Sequence, residues 1–121
     1  IVGGEYHGYG WDAGNYALAT KSYSILDTRP HWPGYFLHVK IIQLVDYLFN
    51  NTFKSIISLS MFYSGLAISL YFMMLRKWFD QRESFFIALM LLSNPMVWYY
   101  GAVDEMYSYE IVFSCLLELI L

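Results

Sequence analysis

The sequence predicts an all-α membrane protein in which interfacial helices are followed by about three transmembrane helices. Hydrophobic residues make up 58% of the 121 residues, charged residues only 14%, and the mean hydropathy is +0.40. A soluble domain of this size needs more charge on its surface. Aromatic residues reach 21%, and such rings favour the boundary between membrane and water.

The net charge and the cysteine content exclude one kind of partner and two kinds of site. The net charge is −3 and there is no basic run, so nucleic acid is not an expected partner. The single cysteine, Cys115, lies in an apolar run, which excludes an intramolecular disulfide and a cysteine-based metal site. We therefore expect an integral protein of the inner or plasma membrane, with the lipid bilayer as its surroundings.

Residues 1–54 are expected to form an extracytoplasmic loop that contains two helices at the membrane surface. Glycines are frequent before Asp12 and predict irregular structure there. Asp12 is a suitable N-cap for a first helix that continues to Asp27. The two prolines of the Arg29–Phe36 turn restrict the chain and predict a second helix that starts at Pro33.

The second helix, residues 33–49, is amphipathic, with Lys40 and Gln43 on its polar face. Its length is about 25 Å, against a hydrocarbon core of about 30 Å. The short length and the polar stripe favour a helix that lies in the membrane interface. The alternative is a helix that spans the membrane, which would put Asp12 and Asp104 on opposite sides.

Residues 55–121 are expected to hold three transmembrane helices, at about 55–75, 84–100 and 106–121. The first contains no charged residue, and Asn94-Pro95 bends the end of the second. The loop at 76–82 contains three of the seven basic residues beside Trp78, so the positive-inside rule assigns it to the cytoplasm. In this orientation the extracytoplasmic side receives Asp12, His31, Asp104 and Glu105.

Two motif clusters on that side carry a resemblance to a known family. The first consists of Asp12, Tyr16, Ala17 and Ala19, followed by His31-Trp32-Pro33-Gly34-Tyr35, and the second of Pro95, Trp98, Tyr100, Gly101, Glu105 and Tyr107. In order and spacing they resemble the amino-terminal part of the GT-C membrane glycosyltransferases, which include the protein O-mannosyltransferases. In that family an acidic residue opens the first extracytoplasmic loop, often as Asp-x-x-x-Tyr-Ala-x-Ala. The resemblance runs from about residue 9 to residue 121.

The chain departs from the family pattern in three ways. Trp32 stands where the family commonly has a second proline, no span precedes the acidic loop, and the family's enzymes have many more helices. Their later helices build the pocket for the carrier lipid. We therefore expect an amino-terminal fragment of such an enzyme, which is not active as this short chain.

The resemblance implies transfer of a sugar, in a mannosyltransferase-like reaction, from a polyprenyl-phosphate donor without a metal or other cofactor. Asp12 is then the general base, and Glu105 or Asp104 assists it or orients the acceptor. The residues implied in binding substrate or phosphate are Arg29, His31, Tyr16 and Tyr35.

Several of these residues also have a purely structural interpretation. Asp12 suits a helix N-cap, Arg29 suits a lipid headgroup, and Asp104 and Glu105 suit the positive end of a helix dipole. His38 lies at the edge of an apolar helix face. It is either a histidine of the interface or an axial ligand for a pigment or haem metal.

A second function of a different class remains open. The chain also fits a shortened GT-C relative that serves as an accessory or structural subunit of a larger membrane complex, such as a photosynthetic or respiratory assembly. Small residues at four-residue spacing, Ser60 and Ser64 and then Gly65 and Ser69, allow a partner helix to approach closely. Under this alternative the partners are other membrane subunits, pigments or lipids.

Overall fold

Six α-helices make up the part of the chain that the computed structural model describes, residues 11–102 and 107–121. They are α1 (Trp11–Lys21), α2 (Phe36–Phe49), α3 (Thr52–Leu75), α4 (Gln81–Leu92), α5 (Pro95–Ala102) and α6 (Tyr107–Ile120). These described residues form no strand, so the predicted all-α class is confirmed. The chain divides into two compact units, residues 1–59 and 60–121, and the boundary falls within α3.

The core of the first unit forms between one face of α1 and one face of α2. Small residues on α1 let the two helices approach, and one aromatic ring fills the space between them. The fully buried side chains are Ala13, Tyr16, Ala19, Val39 and Ile42. At the end of α1, Gln43 Nε2 donates to the Thr20 carbonyl oxygen at 2.9 Å, which satisfies an acceptor that the helix end leaves open.

The first helix ends at Lys21, so the predicted end at Asp27 is wrong. Ser24 forms a competing turn, because its main-chain N–H and C=O both bond to the main chain of Arg29 at 2.8 Å. Thr28 inside this turn has a left-handed φ of 55°. Serine and aspartate favour such turns over helix interiors, and here their local hydrogen bonds end the helix.

The second helix starts at Phe36, three residues after the predicted start at Pro33. Gly34 and Tyr35 both have positive φ, 95° and 36°, which a right-handed first turn does not allow. A Cβ on Gly34 would lie 2.8 Å from the Ile25 side chain, so only glycine fits there. The Pro-Gly segment is therefore a packed turn rather than the beginning of a helix.

The transition from α2 to α3 is a short hydrogen-bonded break. Asn50 ends α2 in a left-handed conformation, and its N–H donates to the Asp46 carbonyl oxygen at 2.8 Å. The Asp46 carboxylate accepts from Thr52 Oγ1 at 3.3 Å and from Ser55 Oγ at 3.4 Å. These contacts start α3 at Thr52, three residues before the predicted position.

Among the described helices, only α3 is by itself long and apolar enough to cross a membrane, with 24 residues. The segment predicted as one span at 84–100 consists of α4 and α5, which pass the same test together and bend by 62° at their break. Pro95 has no N–H to continue the helical ladder, and Asn94 Oδ1 instead accepts from the Met96 N–H at 2.9 Å. The 14 residues of α6 cover about 21 Å, less than a hydrocarbon core.

In the second unit α6 runs beside α3 in the same direction. Near the start of the pair, Ser64 Oγ and Ser108 Oγ share a hydrogen bond of 2.7 Å. Near the end, Lys77 Nζ donates to the Glu118 carbonyl oxygen. The bent pair of α4 and α5 therefore returns the chain from the end of α3 to the level at which α6 begins.

Gly101 on α5 lies against α3 at a distance that leaves no room for a side chain. A Cβ on Gly101 would be 2.6 Å from Ser64 Oγ and 3.1 Å from Ser64 Cβ. Gly65 provides the contrast, since a Cβ there meets no other atom within 4 Å. Substitution by alanine therefore tests close packing at Gly101, whereas at Gly65 it tests helix propensity alone.

We expect Gly101→Ala to lower the free energy of unfolding by about 1–3 kcal/mol, because the overpacked contact outweighs the helix propensity of alanine. Gly65→Ala is the matched control and is expected to leave stability unchanged or raise it by up to about 1 kcal/mol. Unfolding in mixed micelles, followed by circular dichroism, measures both. Equal stability of the two variants would contradict close packing at Gly101.

Candidate functional site

A carboxylate and an imidazole from two separate segments meet in the first unit. Asp12 lies in the first turn of α1, and His31 lies in the loop that precedes α2. Asp12 Oδ1 and His31 Nδ1 are 3.5 Å apart, within the range of an ion pair and beyond the usual length of a hydrogen bond. Each side chain is about one-third exposed, at 33% and 34%, so a substrate has access to both.

The buried ring of Tyr16 packs against the His31 ring of this pair. Tyr16 is one helical turn after Asp12 and is fully buried. Its ring meets the rings of His31 and Tyr35 edge-on, with centroids 6.1 Å apart in both cases. It meets the ring of His38 at 5.2 Å and nearly at a right angle. Such edge-to-face contacts fix ring orientation and add to the stabilisation that burial provides.

His38 is the more buried of the two histidines of this group, with 2% of its surface exposed. Burial lowers the pKa of His38 from 6.5 to about 4, because the apolar surroundings disfavour the charged imidazolium. His38 is therefore neutral at neutral pH and acts as a packing partner of Tyr16. Its axial-ligand role stays a prediction; the described residues include no group of three side chains suited to hold a metal ion.

The structure brings together most, but not all, of the predicted site residues. The ones that share the cluster are Asp12, Tyr16, His31, Tyr35 and His38. Arg29 lies two residues before His31, and its described contacts are the main-chain bonds to Ser24. Asp104 and Glu105 lie outside the described residues, so their predicted roles stay predictions.

The ends of the segment that carries Asp104 and Glu105 are close together. The rings of Tyr100 and Tyr107 lie 4.6 Å apart, and Ser108 Oγ donates to the Tyr100 carbonyl oxygen at 3.4 Å. Tyr100 and Tyr107 of the second motif therefore have a structural role, because their rings pack α5 against α6.

Asn15 is a buried polar residue of α1 that the sequence did not single out. It follows Asp12 by three residues on α1 and is 8% exposed. Its Nδ2 atom has no hydrogen-bond partner among the residues that the structure describes. A buried amide without a partner is uncommon and costs stability. The i, i+3 spacing from Asp12 was the available signal.

Comparison of the chain with models of known protein families, with curated proteins and with solved structures finds no match. A partly exposed carboxylate beside an imidazole is suited to accept and pass on a proton. The rings of Tyr16 and Tyr35 contact the His31 ring, while about one-third of the Asp12 and His31 side chains stays exposed to a substrate.

The shifted pKa of His38 predicts an acid-dependent loss of stability. As the pH falls from about 6.5 to about 4, the unfolded chain takes up a proton at His38 that the folded chain does not bind. The free energy of unfolding should therefore fall over this range, by up to about 3 kcal/mol. Thermal unfolding at pH 7 and pH 5, followed by circular dichroism, measures the slope.

The variant His38→Phe keeps a ring next to Tyr16 and removes the titration, so its stability should depend less on pH. Tyr47→Phe, at an exposed position of the same helix, is the matched control and should keep the original slope. The explanation fails if His38→Phe and the parent protein lose stability equally between pH 7 and pH 5.

Proposed function

We propose that this chain is the amino-terminal part of a GT-C-like membrane glycosyltransferase that takes its sugar from a polyprenyl phosphate, in the manner of a mannosyltransferase. The observation that carries the proposal is the contact of Asp12 with His31 over the buried ring of Tyr16. All three residues belong to the first motif cluster, in which Asp12 and Tyr16 lie on α1 and His31 lies in the loop before α2. Their proximity is what a shared role in one reaction requires.

In the proposed reaction Asp12 takes the proton of an acceptor hydroxyl group as its oxygen attacks the anomeric carbon of the sugar. The bond between that carbon and the phosphate oxygen breaks, and the polyprenyl phosphate leaves with the bonding electrons. His31 holds the Asp12 carboxylate in position or meets the phosphate. Arg29, two residues away, supplies positive charge to the same phosphate, and Glu105 or Asp104 orients the acceptor.

We propose that α3, the α4–α5 pair and α6 belong to the three transmembrane helices predicted at about 55–75, 84–100 and 106–121, with the loop at 76–82 in the cytoplasm. Two observations support this arrangement. Large apolar side chains are exposed on these helices, Phe62, Phe86 and Met90 among them, while the hydroxyl-bearing Ser60, Ser84 and Ser108 are buried. This distribution suits a lipid environment, in which helices meet through small and polar residues. The parallel course of α6 and α3 gives both helices the same depth.

We propose that α2 lies in the interface. His38, Val39 and Ile42 face the core of the first unit, whereas a second apolar stripe is exposed. That stripe contains Leu37, Leu44 and Leu48, which are 50%, 68% and 75% exposed. An apolar stripe that no described residue covers is suited to rest on the acyl boundary of a bilayer.

The accessory-subunit function is the second candidate, and the exposed apolar surface of residues 60–121 favours it equally. Lipid tails and helices of a larger complex both cover such a surface. Transfer activity separates the two candidates, because an accessory subunit needs no general base at position 12.

We expect Asp12→Asn in the full-length protein to abolish sugar transfer, by at least about a hundredfold, because the amide does not accept the hydroxyl proton. Release of polyprenyl phosphate from a polyprenyl-phosphate mannose donor measures the rate. Asp27→Asn, at an exposed turn position of the same unit, is the matched control and should keep full activity. Normal turnover by Asp12→Asn with an unchanged circular dichroism spectrum would remove Asp12 from the catalytic role.

The interfacial position of α2 predicts which sites face the same compartment. In a Cys115→Ser background, Asp27→Cys and Ala102→Cys should both react with a membrane-impermeant maleimide on intact cells. Gln81→Cys, in the basic loop, should react only after permeabilisation. Labelling of Asp27→Cys and Ala102→Cys from opposite sides would show that α2 crosses the membrane.

A further inference from the structure

The α3–α4 groove of the second unit has a charged end and an apolar end. The charged end is a cavity of about 530 Å³ lined by Phe72, Asp80, Gln81, Arg82, Phe85 and Phe86. The apolar end is a cavity of about 360 Å³ between the Ser69 region of α3 and the apolar side chains of α4 from Phe85 to Leu92. Phe72 and Phe85 line both cavities, so the two form one continuous groove.

The α4 side of this groove is one stripe of the helix. Arg82 is followed by Phe85, Leu89 and Leu92 at spacings of three and four residues, which bring side chains onto the same helical face. At 1.5 Å per residue, the stripe extends about 15 Å from Arg82 to Leu92. A hydrocarbon core is about 30 Å thick, so the length of the stripe corresponds to one leaflet of a bilayer.

Two opposite charges lie at the charged end without pairing with each other. The Arg82 guanidinium forms no ion pair and no hydrogen bond within the part of the chain that the structure describes. Asp80 Oδ1 caps α4 by accepting from the N–H groups of Arg82 and Glu83, at 2.7 and 2.9 Å. Asp80 Oδ2 bonds to no described residue. The exposed end of the groove therefore offers a cation and a carboxylate oxygen to a ligand.

We propose that the α3–α4 groove binds one phospholipid of the cytoplasmic leaflet whose headgroup carries a phosphate and a primary ammonium, as in phosphatidylethanolamine. The phosphate meets the Arg82 guanidinium, whose planar shape is suited to hold two phosphate oxygens at once. The ammonium group donates to Asp80 Oδ2. One acyl chain lies along the apolar stripe from Phe85 to Leu92.

Charge and length select this occupant over others. An anionic headgroup would pair with Arg82 but would bring a second negative charge to Asp80. A transmembrane helix of a partner crosses both leaflets, about 30 Å, and so extends well beyond the stripe. A polyprenyl-phosphate donor has its phosphate on the side of Asp12 in the proposed topology, whereas Arg82 lies at the cytoplasmic end.

This lipid site requires the membrane position proposed for α3 and α4, and it does not depend on the transfer reaction. The variants that test the site leave Asp12 and His31 unchanged. Loss of lipid binding and loss of sugar transfer are therefore separate results, and failure of one proposal is distinguishable from failure of the other.

The test uses the full chain in detergent micelles, to which phosphatidylethanolamine, phosphatidylcholine or phosphatidylglycerol with identical acyl chains is added. Native mass spectrometry counts the lipids that each protein molecule retains and gives a dissociation constant for each lipid. We expect the first phosphatidylethanolamine to bind about tenfold more tightly than either other lipid, because it alone donates to Asp80 and pairs with Arg82. Equal binding of the three lipids, tighter binding of phosphatidylglycerol, or a lipid-free dimer overturns the proposal.

Two variants each remove one charge from the end of the groove. Arg82→Gln should weaken binding of phosphatidylethanolamine about tenfold, because the charge-assisted contact with the phosphate is lost. Arg76→Gln, at an exposed position of the same loop that does not line the groove, is the matched control and should bind as the parent does. Asp80→Asn keeps an equally good N-cap and should remove the preference for phosphatidylethanolamine over phosphatidylcholine. Survival of that preference, or equal losses in Arg82→Gln and Arg76→Gln, contradicts the site.

Ser69→Trp tests the position of the acyl chain. Ser69 is exposed within the groove, so an indole ring there fills the space of the chain and should abolish binding of the first lipid. Ser114→Trp makes the same change at an exposed position of α6, of which no described residue lines the groove, and is the matched control. Circular dichroism verifies the helix content of both variants. Unchanged lipid binding by a helical Ser69→Trp variant would overturn the assignment of the chain to this groove.

Discussion

The burial of one tyrosine ring is the contact on which the first unit depends. Tyr16 packs between α1, the Pro-Gly turn and α2, and its ring touches those of His31, Tyr35 and His38. Removing a buried aromatic ring typically costs about 3–5 kcal/mol, a large part of the stability of a small unit. The loop that carries His31 is also held by the main-chain bonds between Ser24 and Arg29 and by the Tyr23 hydroxyl, which donates to the Gly34 carbonyl oxygen.

The sequence predicted the elements well where local rules decide them. The all-α class, the apolar helix after Asn51 and the break at Asn94-Pro95 follow from composition, charge spacing and the missing N–H of proline. The sequence also indicated that Asp12, Tyr16, His31 and Tyr35 belong together, although only by resemblance. No local sequence pattern predicts the contact between these side chains, because it depends on how α1 packs against α2.

Predictions failed, or could not be made, where long-range packing or backbone conformation decided the outcome. The start of α2 depends on positive φ at Gly34 and Tyr35, and a tyrosine gives no warning of a left-handed conformation. The close contact of Gly101 with Ser64 joins two helices that are far apart in the chain. The buried amide of Asn15 likewise becomes visible only when the neighbours of α1 are known.

The hydroxyl groups of Ser64 and Ser108 and the main chain of Tyr100 connect three helices through polar contacts. Ser64 Oγ and Ser108 Oγ lie 2.7 Å apart, with either hydroxyl group able to donate, and Ser108 Oγ lies 3.4 Å from the Tyr100 carbonyl oxygen. A carbonyl oxygen has no hydrogen to give, so the hydrogens of these contacts come from the two serines. Loss of the Ser108 hydroxyl group would therefore remove the polar connection of α6 to α3 and to α5 at once.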